Sequence, residues 1–331
     1  MSVSVHDVAT AAGVSVGTVS NVLNRPHKVA PETVARVQAA IDRLGYVRND
    51  AARQLRVGRS RTIGLVIPDL RNPFFTEMAR GAEARCTEHG LSVLFAHSDD
   101  DPAREAAQLE LFEEQRACGV LITPVSLDLP RLRRMCDFGV PVVLVAESHG
   151  ANLASVWVDD VEGGRIAVEH LLAIGRRRIA FVGGPMTFRQ VSDRLTGAYR
   201  AAAAGVATLE LIGTDGQTVE EGRRAGDRIL QRSAEARPDA IFAANDLLAL
   251  GLLQSLVVTG AVRVPDEIAL IGYDDIDFAK TAFVPLSSIR QPAALLGSTA
   301  VDLVLAQAKA GRKTVEPVVF QPELVVRASS G

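Results

Sequence analysis

From Thr62 onward the chain alternates short, wholly apolar runs with longer helical segments, and that alternation leaves few folds open. The runs 62–67, 91–96, 120–123, 140–145, 156–158, 179–182, 209–212, 240–243 and 268–272 predict strands. The segments 74–89, 103–117, 129–138, 161–174, 192–204, 219–232 and 247–259 predict the helices between them. Strands apolar along their whole length are buried on both faces, as in parallel sheets covered by helices. The length predicts two such sheets with a cleft between them. In open sheets of this kind ligands bind beyond the carboxyl ends of the strands.

The first two dozen residues follow another rule. Ser4 is placed to cap a helix, with Asp7 as its capping-box partner. Val5, Val8, Ala9 and Ala12 form one face, and Gly13 permits a turn. Ser15 caps a second helix running to about Leu23, with Val19, Val22 and Leu23 inward and Val16, Gly17, Ser20 and Asn21 outward. Two short helices joined by a glycine turn form the helix-turn-helix pattern, and a small, uncharged outer face suits a helix that enters a major groove. The competing reading is a pair of amphipathic helices in any small bundle. Gly13 to Gly17 also spells the G-x-S-x-G of a hydrolase nucleophile, but that motif needs a strand before the serine. After a loop at Arg25-Pro26-His27-Lys28, Pro31 opens a third helix with Val34, Val37, Ile41 and Leu44 on one face and Gly45 at its end. Asn49 is placed to cap a last short helix, Asp50 to about Val57, too short to be stable alone in water.

Charge separates the two regions. Residues 1–61 hold nine Arg or Lys and four acids, a net +5, against −3 for all 331 residues, which leaves the remainder at −8. A basic head on an acidic body fits a head that binds phosphate backbone. Cys86, Cys118 and Cys136 show no pairing pattern and predict small buried side chains of a reduced, cytoplasmic protein. No basic stretch followed by an apolar run opens the chain, and no apolar run is long enough to span a bilayer. No metal-ligand spacing appears among the six His, no cofactor motif is present, and no residue pair reads as a nucleophile with its base. An enzyme is therefore not expected.

Polar and aromatic residues gather at the predicted strand ends: Asn72-Pro73-Phe74-Phe75, Ser98 to Asp101, Glu147-Ser148-His149, Asp159-Asp160, Gly183-Gly184-Pro185 ahead of Phe188, Arg189 and Arg194, Ala244-Asn245-Asp246, and Tyr273-Asp274-Asp275. Asn and Asp also cap helices, and Asp246 reads as such a cap. Together these groups supply paired donors and acceptors with flat apolar rings, which a polyhydroxylated ligand needs.

At this point the residues are recognisable. The head carries DVATAAGVSVGTVSNVLN, VAPET, LGY and NDAARQL. The body carries IGLVIPDLRNPFF, VDDVEGGRIAVEHL, RIAFVGGP, DRLTGAYRAA, AIFAANDLLALGLLQ, IALIGYDDIDFA and PLSSIRQP. In this order, over essentially the whole chain, they resemble the LacI/GalR family of bacterial transcription regulators. The resemblance implies an all-α helix-turn-helix head joined to an α/β sensor of two doubly wound parallel-sheet subdomains, similar to periplasmic sugar-binding proteins. It divides the chain into a head at 1–47, a hinge helix and linker at 48–61, and a sensor and dimerisation domain at 62–331. Within the sensor, 62–157 and 291–320 form one subdomain, and 158–290 with 321–328 the other.

The resemblance also assigns residues. DNA contacts fall to Val16, Gly17, Thr18, Ser20, Asn21, Asn24 and Tyr46 in the head and to Asn49, Ala52, Arg53 and Leu55 in the hinge. Many relatives carry Arg where this chain has Asn21, and Asn favours adenine where Arg favours guanine. Leu55 matches the residue that wedges into the minor groove. Effector binding falls to Asn72, Phe74, Phe75, Glu147, Arg189, Arg194, Asn245, Asp274 and Gln291. Gln217 stands where several relatives place an aromatic lid, a departure that points to a polar ligand rather than a purine. Ala30 replaces a frequent Ser and gives up a cap. The function implied is a repressor of carbohydrate-metabolism genes, a homodimer on a pseudo-palindromic operator, controlled by a small sugar or sugar derivative, with no cofactor and no membrane partner. No heptad tail follows Arg327, so a tetramer through a C-terminal coiled coil is not expected. The rival is a solute-binding protein without a regulatory role, which would lack residues 1–61.

Overall fold

The computed structural model describes residues 3–46, 60–125, 129–146, 153–258, 260, 262–310 and 316–331. They form two compact units, one before and one after the Ser60–Arg61 junction.

In the head, α1 (Val5–Ala12) starts at Ser4, whose Oγ accepts the Asp7 N–H while Asp7 accepts the Ser4 N–H at 2.8 Å. Gly13 ends it with φ 61°, a left-handed conformation in which a side chain is strained. Ser15 then caps α2 (Val16–Asn24), accepting Thr18 N–H at 3.1 Å. The stretch expected as a loop is a single 3₁₀ turn, Pro26–Lys28. Helix α3 (Pro31–Leu44) has Pro at its first position and no side-chain cap at Ala30. Val8, Ala9, Ala12, Val19, Val22, Val37 and Ala40 form the shared core. Val16 is expected outward but is half-buried and packs on this core, as a first-turn residue whose side chain leans back along the helix.

The body contains two six-stranded sheets. The first runs β11-β5-β4-β3-β1-β2, from β1 (Thr62–Ile67), β2 (Ser92–His97), β3 (Gly119–Ile122), β4 (Val142–Val145), β5 (Ala154–Val158) and β11 (Val318–Phe320). The second runs β12-β10-β9-β8-β6-β7, from β6 (Arg178–Gly183), β7 (Thr208–Gly213), β8 (Ala240–Ala243), β9 (Ala269–Asp274), β10 (Ser287–Arg290) and β12 (Glu323–Val325). The pairings are parallel except β10 with β12. The continuous apolar runs are explained by the first sheet. Ile63, Leu65, Ile67, Leu121, Val143 and Val145 face one core, while Val66, Val120, Ile122, Val142 and Leu144 face another. With side chains alternating across a sheet covered on both sides, every position must be apolar.

Helices α4 (Pro73–Glu88), α5 (Pro102–Glu114) and α6 (Leu129–Asp137) connect strands of the first sheet, α7 (Asp160–Ala173) carries the chain from the first sheet to the second, and α8 (Arg189–Ala204), α9 (Val219–Leu230) and α10 (Asp246–Val258) connect strands of the second. The alternation read from the sequence stops at Gly272. The structure continues it with α11 (Asp277–Thr281), β10, α12 (Ala293–Ala310), β11 and β12. Ser287–Arg290 is polar at three of its four positions, so no apolar run marks it as a strand. The chain passes between sheets after β5, after β10 and after β11. Beyond β12, Ser329 closes the second sheet: its carbonyl accepts Leu270 N–H at 2.8 Å and its Oγ accepts Ser287 N–H at 2.8 Å.

Cys86 is buried, and burial, with Cys118 nearby, pushes its thiol up to about 12; all three cysteines are free. Among the described residues no helix is long and apolar enough to cross a membrane.

Candidate functional site

The strand ends of the two sheets bring together side chains far apart in sequence. Asn72 follows β1 and does two jobs. Its Oδ1 accepts Phe74 N–H at 3.0 Å, capping α4, and its Nδ2 lies 3.5 Å from the Asp274 carboxylate at the end of β9. Phe74 and Phe75 are buried beside it, ring centroids 5.1 Å apart and edge to face. Gln291, where the chain leaves β10, donates Nε2 to Asp274 at 2.7 Å.

Arg194 comes from α8. Helices α7 and α8 approach closely because Gly164 lies against the Arg194 carbonyl, where a Cβ would collide. That approach sets the Arg194 Nε 2.7 Å from Asp160, the first residue of α7. Nη1 donates to the Ala244 carbonyl at 2.6 Å, and the guanidinium carbon sits 3.6 Å from the centre of the Tyr273 ring. Burial raises the Asp160 carboxyl above its ordinary range despite the pull of Arg194. Burial likewise raises Asp274 to about 6, against Arg194, Gln291 and Asn72, which favour its charge. Burial works against the Arg194 charge, but Asp160, Tyr273 and Asp274 outweigh it and its pKa is raised.

Asp274 and Asp275 both have positive φ, 107° and 55°. Non-glycine residues held there are strained, and such strain persists only where the surroundings over-determine it. Here they do. Ser288 Oγ accepts Asp275 N–H at 3.0 Å, Arg290 Nε and Arg327 Nη2 reach the Asp275 carboxylate at 2.8 and 2.6 Å, and Asp246 accepts Ile276 N–H at 2.9 Å and the Ser288 hydroxyl at 2.6 Å. Asp246 is therefore not the expected helix cap but a fully buried cross-link that holds the 274–276 turn. The cap is its neighbour: Asn245 Oδ1 accepts Leu248 N–H at 2.9 Å.

Two adjoining pockets, about 550 and 330 Å³, share Asn72, Phe75, Gln190 and Gln217. The inner one is lined also by Phe74, Asp160, Arg194, Asp274 and Gln291, the outer by Asp69, Asp100, Phe188 and Thr218. Two expected residues lie differently. Asn245 does not line either pocket; its Nδ2 donates to the Gln217 carbonyl at 3.1 Å and so supports a lining residue. Arg189 is half-exposed and pairs with Asp193 at 3.3 Å, while Gln190, one position on, faces inward. Glu147 lies outside the described residues. Sequence alone does not single out Asp160 or Gln190 as site residues. The Asp159-Asp160 pair at a strand end marks the first, where Asp159 is the cap, accepting Glu162 N–H; nothing local marks the second.

In the head, Gly17, Asn21 and Asn24 are exposed; Thr18, Ser20 and Tyr46 are half-buried, Tyr46 against the core. Thr18 Oγ1 lies 2.9 Å from Ser15 Oγ, and Asn24 Nδ2 donates to the Ser20 carbonyl at 2.7 Å. Ser15 follows a helix and caps the next, so the nucleophile-turn geometry is absent. Asn49, Ala52, Arg53 and Leu55 lie outside the described residues. Among those described, no three His, Cys, Asp or Glu gather as a metal site.

Residues 4–49 match the model of the bacterial regulatory proteins of the lacI family, and residues 168–330 that of the periplasmic binding protein-like domain. The chain is 32% identical to the HTH-type transcriptional regulator DegA of Bacillus subtilis, over 100% of this chain and 98% of that protein. It is 33% identical to the ribose operon repressor of Escherichia coli K12, over 99% of each. The lac repressor dimer bound to operator and the anti-inducer ONPF superposes with a TM-score of 0.87 at 27% identity, covering 100% of this chain and 99% of that one. These relatives are DNA-binding regulators rather than enzymes, and the likeness runs through head and body alike: the chain belongs to the LacI family of bacterial regulatory proteins.

Proposed function

We propose that this regulator is a cytoplasmic repressor of carbohydrate-metabolism genes, released from or fixed on its operator by a small sugar or sugar derivative. The observation that carries the reading is the constellation of Arg194, Asp160, Asp274, Asn72 and Gln291 around the Phe74–Phe75 pair, in a chain that also carries a helix-turn-helix head. A guanidinium edge, carboxylates and amides supply the directed hydrogen bonds that hydroxyls need, and a flat ring takes the apolar face of a pyranose or furanose. Gln217, Gln190 and Phe188 complete the cavity; Asn245 supports it from behind, and Glu147 belongs to it by resemblance.

A single helix-turn-helix reads a few base pairs, so two copies on a pseudo-palindrome give the required specificity. Val16, Gly17 and Asn21 read bases, Thr18, Ser20, Asn24 and Tyr46 hold backbone or support those contacts, and the 48–61 hinge with Asn49, Ala52, Arg53 and Leu55 enters the minor groove. Effector binding shifts the two sensor subdomains, 62–157 with 291–320 and 158–290 with 321–328, and changes hinge order by a coupling of about 1–3 kcal/mol.

The test is a gel shift on the upstream region of the regulator's own gene, titrated with pentoses and hexoses. One sugar is expected to change operator affinity by about 5–150-fold. Arg194→Ala is expected to lose that response and keep operator binding, and Leu55→Ala to lose operator binding and keep sugar binding. A response that survives Arg194→Ala overturns the cleft assignment.

A further inference from the structure

Among the described residues, the two pockets are lined by one cation and several acids. We propose that the cleft selects its ligand by charge: an uncharged or amine-bearing polyhydroxylated compound is admitted, and the phosphate ester or carboxylic acid of the same compound is refused. This inference rests on the reading of the cleft as the effector site.

Arg194 is the sole basic side chain among the described residues that line the two pockets. The undescribed stretches after β3 and β4, 126–128 and 147–152, contain no Lys or Arg. The Arg194 charge is already balanced, because its Nε is bound to Asp160 within the same buried site. Asp274 adds a further carboxylate, held by the neutral amides of Gln291 and Asn72. At the mouth stand Asp69 and Asp100. Arg71 pairs with Asp69 and Asp99 from the solvent side, with its own side chain 70% exposed. Arg104 pairs with Asp99 and Asp101 rather than with Asp100. Burial first, then the charges of Asp69 and Asp99, raise the Asp100 carboxyl above its ordinary range, against the pull of Arg71.

Anions are held either by free cations or by uncapped helix N-termini. The second route is open at one place among the described residues: α4, α5, α7 and α9 begin at the cleft with a first turn already occupied, whereas α8 begins there after Phe188 with no side-chain cap. Asn72 caps α4, Asp101 accepts two N–H groups of α5, and Thr218 caps α9 ahead of Glu220 and Glu221. A phosphate ester brings about two negative charges at neutral pH. It would meet four carboxylates against one balanced guanidinium and the uncapped first turn of α8, whose dipole amounts to about half a charge. A hydroxyl meets acceptors it can donate to, and an ammonium group meets the Asp69–Asp100 mouth.

The experiment uses the full chain and matched probes, read by calorimetry and thermal shift. The neutral set is D-ribose, D-xylose, D-glucose and D-galactose. Its charged partners are ribose 5-phosphate, glucose 6-phosphate, glucuronate and galacturonate, with glucosamine and galactosamine as amines. A bacterial metabolite extract, split by ion exchange into anionic, neutral and cationic fractions, serves as a probe that does not presuppose the sugar. The expected result is stabilisation by neutral or amine-bearing compounds or fractions only, each at least tenfold tighter than its phosphate or acid. Asp100→Asn, which tolerates the local φ of 57°, is expected to narrow that gap. A phosphate or carboxylate that binds as tightly as its neutral parent, or stabilisation by the anionic fraction alone, overturns the charge selection and leaves the effector site standing. Stabilisation by no compound and no fraction overturns both.

Discussion

Arg194 and Asp160 meet at 2.7 Å with their side chains only 5% and 10% exposed. A buried pair gives little net stability over an apolar replacement, but removing one partner strands the other. Asp160→Ala leaves a guanidinium in the interior without its hydrogen-bonded carboxylate, held by the Ala244 carbonyl, the Tyr273 ring and the charge of Asp274. The expected cost is about 3–5 kcal/mol, or roughly 10 °C in the melting of the body. Differential scanning calorimetry checks it; an unchanged Tm would show that the pair is not structural.

Asp274 gives a pH signature. Its folded pKa is about 6, against about 3.9 in an unfolded chain. The folded form therefore keeps a proton that the unfolded form has shed. The group's relative stabilisation is full below pH about 4 and is lost as pH rises through about 6. Against Asp274→Asn, whose side chain does not titrate, the wild type should lose on the order of 2–3 kcal/mol between those limits. Urea titrations of both proteins at pH 4.5 and 7 measure the difference; a gap independent of pH would place the titration elsewhere.

Asp246 separates charge from hydrogen bonding. It is fully buried, and burial together with Asp274 and Asp275 holds its carboxyl well above the usual range. A neutral side chain of the same shape is then nearly equivalent at pH 7. Asp246→Asn is expected to cost less than about 1 kcal/mol, the Ser288 hydroxyl turning to suit. Asp246→Ala leaves the Ile276 N–H and the Ser288 hydroxyl without their acceptor and is expected to cost about 2–5 kcal/mol. It should also weaken sugar binding by releasing the Asp274 turn. Equal losses for Asn and Ala would mean that the site requires a full negative charge.

The head offers a gain rather than a loss. Ala30 occupies the N-cap of α3 with φ −56° and ψ 136° and makes no side-chain cap bond. Ala30→Ser restores an acceptor for the first turn and should stabilise α3 by about 1 kcal/mol. Hydrogen exchange of residues 32–34 in the full chain reads this directly, as slower exchange confined to the head.

Local rules were enough for what is local. Ser4 with Asp7, Ser15, Gly13, Pro31 and Gly45 start or stop the head helices where their chemistry requires. The apolar runs through Thr62 and beyond give the parallel sheets because two-sided burial leaves no polar position in a central strand. What sequence could not supply is pairing at a distance. Asp246 reads as a cap because Asp often is one, and its partners Ser288 and Ile276 lie 30 or more positions away. Asp160 is indistinguishable from Asp159 until α8 sets Arg194 against one and not the other. Arg189 and Gln190 differ only in which way one helical position points, and the boundary of α8, three residues earlier than the pattern predicts, decides it.

The threefold passage of the chain between the sheets has a consequence for synthesis. The first sheet lacks its outer strand until residues 318–320 have emerged, and the second until 323–325 and Ser329 have. A ribosome thus releases a head whose three helices need nothing beyond Tyr46, followed by two lobes that are finished almost simultaneously at the end. Neither lobe can be cut out as a continuous piece, and the nascent chain holds a head with its own complete core well before either lobe has its full sheet.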